Sequence, residues 1–236
     1  MKNQYFGDIN DYMKYGMIRL LTSYGQVSTA ICWMLTPNDG NTEGKFTDYL
    51  HRPEFWRGYD PLVYDHLKNI VLGKTREVYA AQSDGILPNC VFYPTLLSDK
   101  PEIRARYFEG FERASKGCEL IFFDPDNGLE VKSIPYGHKH SSKYLYWREV
   151  RKFFNAGPSL LIYQHFPRIN RDHFIESKAR ELRERTEAHG VYSFRTPRVL
   201  FLLAVQKSHQ GLFEAGAKKV ASNWQGQIVV RIHRER

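Results

Sequence analysis

Apolar residues fall along the chain in two rhythms, recurrent three- and four-residue steps and short unbroken runs, which mark helices and buried strands respectively. Ile9, Met13, Met17, Leu20 and Leu21 share one helical face, so a first helix is expected over residues 8–24, with Asp8 as N-cap and Gly25 as stop signal. VSTAICWML (27–35) reads as a buried strand and runs into the polar stretch TPNDGNTEGK. Helical spacing returns over 60–72 and over 101–116, where Pro101 opens the first turn and Gly117 caps the end. LIFF (120–123) is the shortest and most apolar strand, ending in Asp-Pro. A helix over 144–155, the strand SLLIYQHF, a charged helix over 171–189, the strand VLFLLAV, a helix over 211–223 and the strand QIVVRIH complete the pattern.

Strands alternating with helices of ten or more residues predict an α/β fold, a doubly wound, mainly parallel sheet with helices on both faces. At 236 residues, with no Ser/Pro/Gly linker and no repeat, the chain is expected to form one domain over 1–236. In such sheets ligands sit at the carboxyl ends of strands, which directs attention to TPNDGNTEGK and to DPDNGLE after the LIFF strand.

Composition narrows the class. With 42% hydrophobic residues the chain can bury a core, which excludes global disorder. The longest strongly apolar run, 199–205, is far short of a bilayer span, and MKNQYFGDIN lacks a signal-peptide core, so no membrane association and a cytoplasmic location are expected. Three cysteines without a CxxC pair give neither a disulfide framework nor a zinc site. A net charge of +8 suits a polyanionic partner, with nucleic acid the expected one.

The informative chemistry is Asp124-Pro125-Asp126. A carboxylate at a strand's carboxyl edge, beside a turn held rigid by proline, offers two acceptors to an amine or hydroxyl. In the opening helix Asp11 and Lys14 lie three apart on one face, either as a surface ion pair or as a functional pair. The loop after the first strand carries Asn38, Asp39, Gly40 and Gly44, small or polar residues that let a ligand approach backbone, without GxGxxG or a P-loop.

Together these elements resemble amino-group methyltransferases that use S-adenosylmethionine. The strand-DP turn is similar to their [DN]PP[YF] motif. GDINDYMKY resembles the GNxADVxKH opening of bacterial methyltransferases that act on an adenine amine of large-subunit ribosomal RNA, and the likeness covers residues 5–170. It implies a Rossmann-like methyltransferase fold, with Asp124 and the Pro125 carbonyl accepting hydrogen bonds from the target amine. It also implies that Lys14 and Asp11 position the base or cofactor, that Asn38, Asp39, Gly40 and Gly44 lie on the cofactor, and that no metal is required. Where the family has Pro and an aromatic, this chain has Asp126 and Asn127, so the ring that stacks on the base is missing there.

Two other classes compete. Asp124, Glu130 and Lys132 match the acid, Glu-x-Lys set of magnesium-dependent nucleases, although a tight Asn127-Gly128 hairpin would put Glu130 and Lys132 on the face opposite Asp124. A nucleic-acid-binding module with a degenerate site would draw on the basic tail RIHRER, since the 171–189 helix interleaves both charge signs. His165 at a strand end is a further acid-base candidate.

Overall fold

The computed structural model describes residues 1–38, 40, 46–73, 76–83 and 85–234. Asp39 and Gly44, two of the four expected cofactor-loop residues, lie outside them. The opening helix α1 (Ile9–Leu21) starts where its cap predicts: the Asp8 carboxylate accepts from the Asn10 and Asp11 N–H groups. β1 (Thr29–Cys32) is followed by the short α2 (Pro53–Trp56), then α3 (Pro61–Leu72), capped by Asp60, and the short α4 (Ala80–Ser83). β2 (Cys90–Tyr93), α5 (Pro101–Ala114) and β3 (Leu120–Phe123) complete the first half. The second half holds a two-residue parallel ladder of β4 (Gly128–Leu129) with β5 (Tyr144–Leu145), then α6 (Trp147–Asn155), β6 (Ser159–His165), α7 (Arg171–Thr186), β7 (Gly190–Arg195), β8 (Val199–Val205), α8 (Gln210–Asn223) and β9 (Val229–His233).

The main sheet has the order β2-β1-β3-β6-β8-β7-β9. β2, β1, β3 and β6 are parallel, whereas β8 runs antiparallel between β6 and β7, and β9 is antiparallel to β7. One face buries residues of α1, α3 and α8, including Tyr12, Tyr64 and Trp224; the other buries residues of α5, α6 and α7, including Phe111, Phe153 and Leu182. The α/β, doubly wound architecture is therefore the one the periodicity predicts. Among the described residues no helix is long and apolar enough to cross a membrane, and all three cysteines are free thiols.

Several expected boundaries shift for local reasons. The helix expected from residue 144 begins at Trp147, because Tyr144 and Leu145 pair with Gly128 and Leu129. The 171–189 helix stops at Thr186, because Glu187 adopts a left-handed conformation (φ 56°). The expected 27–35 strand is regular only over Thr29–Cys32. No Asn127-Gly128 hairpin forms. Gly128 sits at φ +117°, and a Cβ there would lie 2.5 Å from the Gln164 amide, which accepts from the Leu129 N–H and donates to the Asn127 carbonyl. That clamp ties the loop after β3 onto β6. The basic tail is partly neutralised, with Arg231 bonded to Asp172 at 3.0 Å and Arg234 facing Glu214 at 3.7 Å.

Candidate functional site

The chain leaves β1 toward β2 on one side and returns to β3 on the other, so the carboxyl ends of β1 and β3 form the topological switch point where such sheets bind ligands. Met1 lies in that crevice. Its ammonium donates to the Asp124 carbonyl at 2.9 Å and pairs with the Asp126 carboxylate at 2.6 Å, and its carbonyl accepts from the Thr36 N–H at 3.0 Å. Beside it opens a cavity of about 1130 Å³, walled by the ends of β3 and β6, the start of β8 and the first turns of α1.

The cavity floor is built by the opening helix. Gly7, at φ +81°, turns the chain so that its N–H donates to Asp11 Oδ2 at 2.9 Å. One turn on, Lys14 Nζ contacts Asp11 Oδ1 at 2.6 Å and Asp124 Oδ2 at 2.7 Å, joining positions 110 residues apart. All three residues are about 3% exposed, which removes the surface-ion-pair reading of Asp11 and Lys14. Rings of Tyr15, Trp33 and Phe122 also face the Lys14 ammonium at 5.2 to 5.9 Å from their centroids.

Electrostatics follow from this packing. Burial works against the charge of Lys14, but the carboxylates of Asp11 and Asp124 outweigh it and hold the ammonium above the ordinary lysine range. Burial raises Asp124 despite the nearby Lys14 and Met1 cations. Asp126 is likewise opposed by burial, yet the Met1 ammonium and the Thr36 hydroxyl, 2.7 Å away, hold it low. Asp8 differs: burial and then the Asp11 charge push it up to about 7, against the opposing pull of the Asp11 N–H, Lys14 and Asn10.

Asp124 has spent only one oxygen. No described residue donates to its Oδ1 or to the Pro125 carbonyl, so the turn keeps both acceptors that the sequence assigns to an incoming amine. Asn38 is exposed, with its Oδ1 accepting from the Gln4 N–H, and Gly40 is exposed beside it. The nuclease set disperses: Glu130 accepts from the Trp147 N–H at 2.8 Å and Lys132 is exposed. Among the described residues no three His, Cys, Asp or Glu side chains are grouped to hold a metal.

Sequence reading singled out His165 as an acid-base candidate but did not place it on this cavity or name the residues around it. Tyr163 and Phe166 line it from β6 and its end, and Lys143, His165, Arg168, Arg171 and Arg198 form a basic rim over the acidic floor. Arg168, Arg171 and Arg198 are exposed, and among the described residues no carboxylate pairs with them. YQHFPR signals only Arg168, which follows a strand end, and nothing local joins it to Lys143 or Arg198.

No family model and no curated protein matches the chain. Among solved structures it is similar to the crystal structure of protein LPL1258 from Legionella pneumophila str. Philadelphia 1, family model DUF519, at 12% identity over 97% of each chain with a TM-score of 0.46.

Proposed function

We propose that the protein transfers a methyl group from S-adenosylmethionine to an exocyclic amine of a nucleic-acid base. The observation that carries this reading is the Asp124-Pro125 turn, which lines a large cavity at the edge of the sheet, whose Asp124 Oδ1 and Pro125 carbonyl have no partner among the described residues, and whose carboxylate is held by Lys14 of the opening helix. Asp124 Oδ1 and the Pro125 carbonyl accept the two N–H groups of the amine and so direct its lone pair away from them. Lys14 favours the charged form of the Asp124 carboxylate against burial and fixes its orientation. Tyr163 and Phe166 offer the ring faces that Asp126 and Asn127 do not. The arginine rim suits the phosphates of a polynucleotide. When bound, the cofactor supplies a sulfonium methyl group to the nitrogen, and orienting two reactants in line can contribute roughly 7–11 kcal/mol.

The residues present fit a cationic cofactor. Asp8 is a buried carboxyl that forms no ion pair among the described residues, which makes it a seat for a positive ligand. Asn38 and Gly40, the described residues of the expected cofactor loop, are exposed and do not line this cavity.

Titration with S-adenosylmethionine by calorimetry tests this reading. Saturable heat is expected at or below near-millimolar ligand, and its absence overturns the proposal. Because a cation favours ionised Asp8, whose pKa in the folded protein is about 7, affinity should rise with pH through neutrality and protons should be released below it. Asp8→Asn keeps an equally good helix cap, removes the charge, and should weaken binding while flattening that pH dependence.

A further inference from the structure

Next to the main cavity lies a second chamber of about 390 Å³, within the range of roughly 300–1,000 Å³ typical of small-ligand sites. The two share Asn10, Phe46, Pro197 and Arg198 as a common wall. The far side of the second chamber is aromatic, with Trp56 and Tyr49 edge to face at 6.2 Å. Phe46 is 47% exposed, and the Arg198 guanidinium lies 3.7 Å from its ring centroid.

Its polar groups are specific. Asn10 Nδ2 donates to the Asp8 carboxylate at 3.1 Å, the amide orientation that an ionised Asp8 selects. Asn10 Oδ1 is then a buried acceptor without a hydrogen-bond partner among the described residues. Arg52 and Arg198 are exposed, with no carboxylate paired to them among the described residues, and they outnumber Asp48, the one acid in the lining. Ring faces, an unmet acceptor and a cationic edge together describe a site for a planar heteroaromatic ring bearing an amine and attached to phosphate.

We infer that this chamber seats the base of a nucleotide adjoining the acceptor nucleotide, with the phosphodiester crossing the shared wall at Arg198. The inference rests on the reading above, and it makes the substrate a single strand rather than a free nucleoside or mononucleotide.

The test is fluorescence anisotropy of labelled adenine-containing single-stranded pentanucleotides, one RNA and one DNA, set against calorimetric binding of adenosine monophosphate. At least one pentanucleotide should bind tenfold or more tightly than the mononucleotide. Arg52→Glu, at an exposed position, and Trp56→Leu line only the second chamber. Each should weaken pentanucleotide binding about tenfold, as loss of one phosphate contact or one stacked base does, and leave the mononucleotide unaffected. Arg52→Glu should also lower the dependence of log affinity on log salt by about one unit. A pentanucleotide that binds no better than the mononucleotide, or that binds Arg52→Glu protein as it binds wild type, overturns the inference. These readouts need no cofactor, so a blank titration with S-adenosylmethionine would remove methyl transfer without deciding strand binding.

Discussion

Lys14→Met should destabilise the protein by about 3–5 kcal/mol, because removing one partner of a buried ion pair strands the other charge. Here two carboxylates are stranded, Asp11 at 2.6 Å and Asp124 at 2.7 Å, and three ring faces lose their cation. For a chain of this length that corresponds to a fall in Tm of roughly 6–20 °C. The deficit should be pH-dependent. Burial already raises Asp124, and without Lys14 it is raised further, so the variant regains stability as pH falls through that raised pKa and is weakest above it. Adding Asp124→Asn should restore part of the loss, since a neutral amide is cheaper to bury than an unpaired carboxylate. Thermal denaturation from pH 4 to 9 checks the series, and a Lys14→Met protein with wild-type Tm at pH 8 would contradict the geometry.

A second large effect lies away from the cavity. Arg104 is fully buried and bonds Glu149 through Nε and Nη2 at 2.7 and 2.8 Å, while also donating to the carbonyls of Ser141 and Tyr144. Its guanidinium faces the rings of Phe108, Tyr136 and Tyr146. The arginine therefore ties α5 to the segment ahead of α6, where Glu149 also accepts from the Tyr146 N–H. Arg104→Met should cost a similar 3–5 kcal/mol and leave Ser141 and Tyr144 without their donor. Limited proteolysis should then cut the 130–146 segment well before global unfolding, and the pairing of Arg104→Met with Glu149→Gln should recover part of the Tm. Equal protease resistance in variant and wild type would contradict this role.

What was legible in the sequence follows physical lines. α1 and β3 were readable because their signals are local: a cap at Asp8, a stripe at helical spacing, and a short apolar run closed by Asp-Pro. Asp11, Lys14 and Asp124 could be picked out by chemistry and position, but not their burial, which exists only once α1 packs on the sheet and brings residues 110 apart in sequence into contact. β2 and β7 escaped notice for different reasons. β2 is a half-exposed four-residue edge strand, and β7, GVYSFR, mixes glycine, serine and arginine and gains its order from pairing on both sides with β8 and β9. The basic rim was invisible because Lys143, Arg168 and Arg198 come from three separate loops. Arg104 and Glu149 lie on expected helices with no local signal of burial, and only the fold turns them inward.

The central claim is that the Asp124-Pro125 turn orients an amine for methyl transfer, and incorporation of labelled methyl into nucleic acid measures it most directly. Folded wild-type protein, labelled S-adenosylmethionine and pools of total RNA and genomic DNA should yield a base methylated on its exocyclic amine after digestion and mass spectrometry. Asp124→Ala should reduce incorporation at least a hundredfold. No incorporation into either pool by wild-type protein, or undiminished incorporation by Asp124→Ala, would contradict the account.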